Sequence, residues 1–256
     1  MKTIWLAVAS CILLLSIFQA CTTKENLQQK KKQAEASRNL GEAYLREGKY
    51  SAALRELSKA EALAPDDYFV HFDLGLAYLY KGETDRAIVH FKKSLAIKED
   101  YGPARNSLGN AYLEKRQWDK AIEQYKLTLS NLLYVTPQFP YSNLGFAYYN
   151  KQEYGLAEKY FKEALDITPD FDRALYGLAR TYLTTGRISK AIKQLEFAVN
   201  KHPDNASLHF ELAEAYKSNR EYRRAYGSYL RVIQMDPGSL LAEKALKAAE
   251  RIRPLL

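Results

Sequence analysis

Residues 74–78 read Leu-Gly-Leu-Ala-Tyr, and the pattern within them of leucine, a small residue and tyrosine decides the fold. At six places in the chain, leucine is followed directly by glycine or alanine, and tyrosine stands four positions after the leucine. The six leucines are Leu40, Leu74, Leu108, Leu144, Leu178 and Leu212, which are 34, 34, 36, 34 and 34 residues apart. A period of 34 residues is typical of a helix–turn–helix unit that stacks on copies of itself. The sequence therefore predicts a row of α-helical hairpins.

Each copy continues with a second small residue and a second large one. Alanine stands thirteen residues after each leucine, at Ala53, Ala87, Ala121, Ala157, Ala191 and Ala225. A large apolar residue follows four positions later, at Leu57, Phe91, Tyr125, Phe161, Leu195 and Tyr229. Residues four positions apart share a helix face, and the small residues allow close helix approach, while the tyrosines of the first helices fill the space between adjacent units. This pattern indicates two packed helices in each unit.

Turn residues separate these helices. Gly48, Gly82 and Gly186 lie between the two helices of three units. Proline, which cannot continue a helix interior, closes four units at Pro65, Pro169, Pro203 and Pro237. Aspartate follows three of these prolines, at Asp66, Asp170 and Asp204. We expect these aspartates to cap the next helices.

Position by position, the six units resemble the tetratricopeptide repeat. The resemblance implies an all-α, right-handed superhelical solenoid. The expected repeats are residues 34–67, 68–101, 102–135, 138–171, 172–205 and 206–239. Residues 240–256 are expected to form a capping helix and tail, because apolar residues fit one helix face at Leu241, Ala245, Leu246, Ala249 and Ile252.

The junction between the third and fourth units is irregular. Residues 132–140 are two residues longer than the corresponding junctions of the other units. They include Pro137, Pro140 and several bulky apolar residues. This connector is either a contact site or a loop insertion without a function, and the sequence leaves both open.

The N-terminus has the features of a targeting segment. Lys2 supplies a positive charge, and residues 4–18 form an apolar stretch that is shorter than the roughly 20 residues needed to cross a bilayer as a helix. Ala20 and Cys21 follow it. This order of a basic start, an apolar core and a small residue predicts that residues 1–20 are a signal peptide.

The same segment resembles a bacterial lipoprotein signal, which implies cleavage before Cys21 and a lipid on its thiol. The alternative is ordinary cleavage after Ala20, which gives a soluble exported protein. Thr22, in place of aspartate, implies an outer-membrane destination by analogy with enteric bacteria. Residues 21–33 are polar, and we interpret them as a tether between the membrane and the repeats.

Charge and motifs exclude several function classes. The net charge is +8, but basic residues alternate with acidic ones, as in residues 42–49, so we expect no nucleic-acid partner. His71 and His209 occupy the same repeat position, where we expect packing or capping roles. No two histidines have metal-binding H-x-x-x-H spacing, and no phosphate-binding glycine loop is present. We therefore expect no enzyme activity, no metal, no cofactor and no small-molecule substrate.

In tetratricopeptide proteins the first helix of each repeat lines a concave groove, and that resemblance places the partner site here. The expected groove residues are Leu45, Phe69, Phe72, Leu76, Leu79, Asn106, Asn110, Phe139, Phe146, Tyr149, Tyr176 and Arg180. Most are apolar or aromatic, and an exposed apolar trough with polar neighbours is typical of a site for an apolar or amphipathic protein segment.

Six units, a lipoprotein-like signal and a capping helix together resemble the pilotins of type IV pilus assembly. Residues 133–137 (Leu-Tyr-Val-Thr-Pro) and 143–148 (Asn-Leu-Gly-Phe-Ala-Tyr) carry this resemblance, with a weaker likeness at residues 237–240. It implies a lipoprotein of the outer membrane, facing the periplasm, that helps a secretin subunit reach that membrane and oligomerise. The alternatives are an envelope scaffold that recruits peptidoglycan hydrolases or another complex, and the non-catalytic subunit of an enzyme.

Overall fold

The computed structural model describes residues 27–256. The expected signal peptide, the lipidation site Cys21 and residues 22–26 of the expected tether lie outside the described residues. Over residues 27–256, no helix combines the length and the apolar character needed to cross a membrane. The described residues divide into two compact units, of which the first ends at Lys115 and the second covers Arg116–Leu256.

The first unit contains five helices in its described part. Helix α1 covers residues 27–46. It is followed by α2 (Tyr50–Leu63), α3 (Tyr68–Tyr80), α4 (Thr84–Ile97) and α5 (Gly102–Glu114). Helix α1 therefore includes residues 27–33, which the sequence analysis assigned to a tether. These residues are leucine, glutamine and lysine, which favour helix when a helix already follows them.

The second unit contains eight α-helices. They are α6 (Trp118–Leu129), α7 (Gln138–Asn150), α8 (Tyr154–Ile167), α9 (Asp172–Thr184), α10 (Ile188–Lys201), α11 (Ala206–Ser218), α12 (Tyr222–Met235) and α13 (Leu240–Ile252). A short 3-10 helix, Arg253–Leu255, follows α13. Within each unit, consecutive helices pack against each other, and residues 27–256 contain no β-strand. The predicted all-α architecture of stacked helical hairpins is confirmed.

The repeated small and large positions form the core. All six alanines of the second helices and all six large residues that follow them are fully buried. The first helices leave room for these large side chains through glycine: a Cβ added to Gly75 would lie 2.5 Å from Phe91. Phe161 is enclosed from two sides, since added Cβ atoms at Gly145 and Gly177 would lie 2.6 and 2.3 Å from its ring. The glycines therefore serve close helix packing.

A left-handed residue joins the two helices of every repeat. Gly48, Gly82 and Gly186 have φ of 71°, 79° and 73° there. The other three repeats place Arg116, Gln152 and Arg220 in the same conformation, with φ of 57°, 64° and 62°. The turn geometry is therefore common to all repeats, although glycine marks only half of them in the sequence.

The helix caps lie one residue later than expected. Asp67 and Asn205, not Asp66 and Asp204, accept hydrogen bonds from the backbone N–H groups of Phe69 and Leu208. The reason is the length of the turn after each proline, which places the extended N-cap conformation at the second residue. Asp170 does not cap α9 either, because Phe171 is the N-cap residue there.

Helix α13 covers the end of the second unit. Its buried residues are Ala242, Ala245, Ala249 and Ile252. Leu246, which was expected on this face, is 47% exposed. Residue 246 lies about 100° around the helix from residue 245, so it falls beside the buried stripe.

Candidate functional site

A pocket of about 520 Å³ lies between α1, α3 and the start of α5 in the first unit. It is lined by Arg38, Glu42, Leu45, Arg46, Phe69, Phe72, Asp73, Leu76, Tyr80 and Tyr101. Helix α1 supplies the first four residues and α3 the next five, because residues three and four apart on each helix face the same side. The groove positions of the first two repeats thus converge on one cavity.

The structure brings together only part of the predicted groove. Among the predicted residues, Leu45, Phe69, Phe72 and Leu76 line the pocket. Leu79, Asn106 and Asn110 belong to the same unit but do not line it. Leu79 is half-buried on α3, and the two asparagines are half-buried on α5.

Aromatic rings form the floor of the pocket. The rings of Phe69 and Phe72 meet the ring of Tyr101 edge-on, with centroids 5.5 and 5.3 Å apart. Phe72 also lies 6.1 Å from the core residue Phe91, whereas Phe69 is 38% exposed. Tyr101 was missed by sequence reasoning. Its signal was an aromatic residue at the N-cap position of α5, a position that Phe171 also occupies before α9, whereas α3, α11 and α13 have aspartate, asparagine and serine there.

Two polar atoms in the pocket wall lack a hydrogen bond. Of the residues described, three side chains have a buried nitrogen or oxygen without a hydrogen bond, and two of them, Arg38 and Asp73, line this pocket. The unpaired atoms are Nε of Arg38 and Oδ2 of Asp73. A buried polar atom without a partner costs free energy, which a bound group could recover by hydrogen bonding to it.

The electrostatics of Asp73 follow from its surroundings. Burial, and then the neighbouring Glu42 carboxyl, raise the pKa of Asp73 to about 8, while Arg38 acts in the opposite direction. Arg38 places its guanidinium 4.9 Å from the ring centroid of Phe69, and its Nε is 3.7 Å from Glu42 Oε1. At neutral pH Asp73 is therefore mostly protonated, and its carboxyl can either donate or accept a hydrogen bond.

A second cavity of about 670 Å³ adjoins the first. It lies between α1 and the segment that joins α2 to α3, and it shares Arg38 and Phe69 with the pocket. Leu27 and Lys31, from the early part of α1, line it. The early part of α1, residues 27–33, therefore adds both apolar and polar surface next to the pocket.

The predicted groove residues of the second unit have a different environment. Arg173 lies 5.1 Å from the ring centroid of Phe146. Arg180 lies 5.4 Å from Tyr149 and 5.5 Å from Tyr176, and it donates a hydrogen bond to the hydroxyl of Tyr176 over 3.2 Å. Guanidinium groups thus cover aromatic faces by cation–π contact. The predicted groove positions Phe146 and Tyr149 thus have arginine as well as aromatic neighbours, and an apolar trough there stays a prediction.

Phe139 is the most exposed aromatic residue among the predicted groove positions of the second unit. It is 42% exposed, and its ring meets Phe171 edge-on, with centroids 5.2 Å apart. It occupies the same repeat position as Phe69, five residues before the leucine of its repeat. The two phenylalanines are therefore equivalent in sequence but not in surroundings.

Family profiles match most of the repeat region. Profiles described as tetratricopeptide repeat match residues 72–132, 150–196 and 176–239, and a profile described as TPR repeat matches residues 41–82. The chain belongs to the tetratricopeptide-repeat family. This fold is a scaffold for protein interaction, which agrees with a site built as an open pocket.

Solved tetratricopeptide-repeat structures share the fold over nearly their whole length. PilW, described as a widely conserved type IV pilus biogenesis factor, superposes with a TM-score of 0.76 and 22% identity over 83% of this chain and 98% of that one. PilF of Pseudomonas aeruginosa gives 0.71 and 19%, over 86% and 99%. A tetratricopeptide repeat protein from Parabacteroides merdae gives 0.70 and 17%, over 93% and 97%. At these identities the likeness establishes the fold.

Curated relatives of this tetratricopeptide-repeat chain are longer proteins. Anaphase-promoting complex subunit 3 of Schizosaccharomyces pombe is 28% identical over 107 residues, which are 42% of this chain and 16% of that protein. The BBSome complex member BBS4 of Xenopus tropicalis is 30% identical over 96 residues, 38% of this chain and 19% of that protein. The chain therefore spans less than a fifth of the length of these relatives, which share its repeat.

Proposed function

We propose that this protein is a lipid-anchored pilotin, which holds a segment of the type IV pilus secretin in the pocket of the first unit. The single observation that carries the proposal is a pocket with an aromatic floor, whose wall contains a buried carboxyl oxygen without a hydrogen bond, Oδ2 of Asp73. Phe69, Phe72 and Leu76 offer apolar contact, and Asp73 offers a hydrogen bond in the same cavity. The fold shared with PilW and PilF supports the assignment to pilus biogenesis.

The pocket chemistry defines the segment that would fit. A cavity of about 520 Å³ accommodates a few side chains, and each buried leucine or phenylalanine contributes about 1.5–3 kcal/mol. Two such anchors contribute about 3–6 kcal/mol, and after the cost of ordering the segment is subtracted this corresponds to a weak affinity, with a Kd of about 1 mM. A backbone group or a polar side chain of the segment would pair with Asp73. The ligand is therefore an apolar segment with one polar group.

The proposed location depends on the N-terminus. A lipid on Cys21 would anchor the protein in the outer membrane, with the repeats facing the periplasm. There the pocket would meet secretin subunits before they assemble, and its function would be to escort them to the membrane. This role needs binding and release only, so we propose no catalytic step.

The test compares two equivalent phenylalanines. Phe69→Ser removes an exposed pocket ring, and Phe139→Ser removes the ring at the same repeat position of the second unit. We expect Phe69→Ser to reduce secretin co-purification and heat-resistant secretin multimers several-fold, and Phe139→Ser to leave both near the wild-type level. Both rings are about 40% exposed, so both variants are expected to fold, as circular dichroism would verify. Equal effects of the two variants, or none, would remove this pocket as the binding site.

A second candidate function, an envelope scaffold for peptidoglycan hydrolases or another complex, has one observation in its favour. The connector before α7 exposes three aliphatic side chains: Leu132 is 96%, Leu133 86% and Val135 89% exposed. Such a loop offers a contact surface of its own, as a scaffold for two partners would need. Co-purification of a hydrolase that is lost after all three are changed to serine would favour the scaffold. Retention of secretin multimers in that variant would separate the two functions.

A further inference from the structure

Three potential metal ligands meet between the second, third and fourth helices. Glu61 lies on α2, His71 on α3 and His90 on α4. One oxygen of Glu61 and one ring nitrogen of each histidine all lie within 4.8 Å of one another. None of the three lines the partner pocket. We call Glu61, His71 and His90 the helix-junction triad.

Hydrogen bonding orients the first histidine of this triad. Nε2 of His71 lies 2.8 Å from the backbone oxygen of Pro65. A carbonyl oxygen only accepts hydrogen bonds, so Nε2 carries the proton and the Nδ1 lone pair of the neutral ring faces the other two residues. Histidines that bind metals characteristically donate their second ring N–H to such an acceptor, which fixes the ring. His71, whose side chain is only 4% exposed, is held in this arrangement.

The distances between donor atoms match a tetrahedral site. Nδ1 of His71 is 3.4 Å from Nδ1 of His90 and 3.6 Å from Oε1 of Glu61. Two nitrogens bound to a tetrahedral zinc ion at about 2.0–2.1 Å are about 3.3 Å apart. A single ion can therefore contact all three groups after small side-chain movements, with a fourth position left for water.

Comparison among the repeats separates this arrangement from ordinary helix capping. His209 occupies the repeat position of His71, and its Nε2 lies 3.0 Å from the backbone oxygen of Pro203. The equivalents of Glu61 in the other repeats are Leu95, Leu129, Leu165, Val199 and Ile233. The equivalents of His90 are Glu56, Gln124, Tyr160, Gln194 and Ser228. Capping therefore explains the contact with proline, but it does not explain a carboxylate at an aliphatic position beside two facing imidazoles.

The surroundings of the triad contain one competing charge. Nζ of Lys93 lies 3.2 Å from Oε1 of Glu61, and its side chain is half exposed. Tyr78 stacks on His90, with ring centroids 5.3 Å apart, and limits the movement of that imidazole. A metal ion would replace the ammonium group of Lys93 as the partner of Glu61, and the flexible lysine can turn into solvent.

We infer that Glu61, His71 and His90 form a binding site for a divalent transition-metal ion such as Zn²⁺, and that the ion fastens the first repeat to the second. The sequence predicted no metal site, since no two histidines have H-x-x-x-H spacing, whereas the ligands of this site come from three different helices. The site would stabilise α3, which also carries Phe69, Phe72 and Asp73. This inference does not depend on the identity of the protein partner.

The test is calorimetric titration of the metal-stripped full chain with Zn²⁺. We expect one ion per chain, and at least about a tenfold weaker Kd in Glu61→Gln and in His90→Gln. His209→Gln, which removes the equivalent capping histidine, is expected to bind as the wild type does. Lys93→Ala is expected to bind Zn²⁺ more tightly, since the competing ammonium is gone. Zn²⁺ should also raise the Tm of the wild type but not of His90→Gln.

Several results would overturn the inference. They are an absence of Zn²⁺ binding to the wild type, wild-type affinity in both ligand variants, or an equal loss in His209→Gln. Circular dichroism without metal shows whether the variants fold. If His90→Gln does not fold, the inference is tested with Glu61→Gln and with the visible absorption spectrum of the Co²⁺-loaded wild type. Co²⁺ absorbs strongly only in a tetrahedral site. A weak, octahedral-type Co²⁺ spectrum would then reject the triad.

Discussion

At the scale of single residues, Asp73 is an acid held in a pocket that disfavours its charge. The residue is only 6% exposed, and burial together with Glu42 raises its pKa to about 8. In the unfolded chain an aspartate has a pKa of about 3.9. Between these two values the folded state binds more protons than the unfolded state, so the free energy of unfolding falls as the pH rises from about 4 to 8.

Replacing this carboxyl by an amide tests the argument. Asp73→Asn is expected to raise the free energy of unfolding by about 1–3 kcal/mol at pH 8, because no charge then has to be buried. The difference should shrink towards pH 4, where the wild-type carboxyl is protonated in both states. Urea unfolding at several pH values measures this dependence. An equal effect at pH 4 and pH 8 would show that the substitution acts through packing and not through charge.

Some of these pocket residues could be predicted from the sequence and others could not. Leu45, Phe69 and Leu76 follow from the repeat register, because the register fixes which helix face a residue occupies. Asp73 sits one position before the leucine of its repeat, where the register places core residues, and its role depends on the arrangement of Arg38 and Glu42 around it. Such contacts depend on side-chain geometry, which a periodic pattern does not contain.

The covering of aromatic rings by arginine was missed for a similar reason. Phe146 and Tyr149 have the same register as the apolar positions of the first unit, so the sequence analysis treated them as equally apolar. Whether an arginine lies over a ring depends on the positions of Arg173 and Arg180 one repeat later. The repeat period predicts the helix face on which each residue lies, but the side chain that contacts this residue comes from a neighbouring helix.

At the scale of elements, the packing of Phe161 shows why the repeat alternates small and large residues. The ring is fully buried on α8 and contacts Gly145 on α7 and Gly177 on α9. One side chain thereby joins the two helices of its own repeat to the first helix of the next. The packing of these three helices around Phe161 therefore depends on the absence of a Cβ atom at Gly145 and at Gly177.

Adding that methyl group tests the packing. A Cβ on Gly177 would lie 2.3 Å from the ring of Phe161, so Gly177→Ala is expected to lower the free energy of unfolding by about 1–3 kcal/mol. Gly227 provides the matched control, because it lies within α12 and its added Cβ would meet nothing within 4 Å. Gly227→Ala is expected to stabilise the protein by about 0.5–1 kcal/mol, since alanine favours helix. Equal signs for the two variants in chemical denaturation would contradict this account.

The elements themselves were largely readable from the sequence, because each helix pair repeats the same positions six times. The details that differed concern turns and ends. Arg116, Gln152 and Arg220 adopt the left-handed conformation without glycine, since the packed hairpin fixes the turn whatever residue occupies it. The local turn geometry also places the helix N-caps at Asp67 and Asn205, one residue after the predicted Asp66 and Asp204. Repetition thus predicts helices well, and tertiary packing decides where they begin and end.

At the scale of the whole molecule, the two units present different surfaces from the same repeat. The first unit offers a pocket lined by aromatic, aliphatic and charged side chains, with one buried carboxyl oxygen that lacks a hydrogen bond. Arginines lie over aromatic rings in both units, Arg38 over Phe69 in the first and Arg173 over Phe146 in the second, but the second unit exposes the aliphatic connector at residues 132–135. A chain built from near-identical units can in this way carry distinct binding chemistries, so function cannot be assigned to the repeat as such.

The proposed lipid anchor would determine where these surfaces act, and its test uses the two cysteines of the chain. Cys21→Ser is expected to abolish labelling of the protein with a fatty-acid probe, because serine has no thiol to carry the lipid. Cys11→Ser, within the expected signal peptide, should leave the label unchanged, since cleavage before Cys21 removes residue 11. Purified Cys21→Ser protein should still bind its partner, because the pocket lies in the repeats, but secretin multimers should decline in cells. Label that persists in Cys21→Ser would refute the lipoprotein assignment, and normal multimers without the label would show that the escort role needs no anchor.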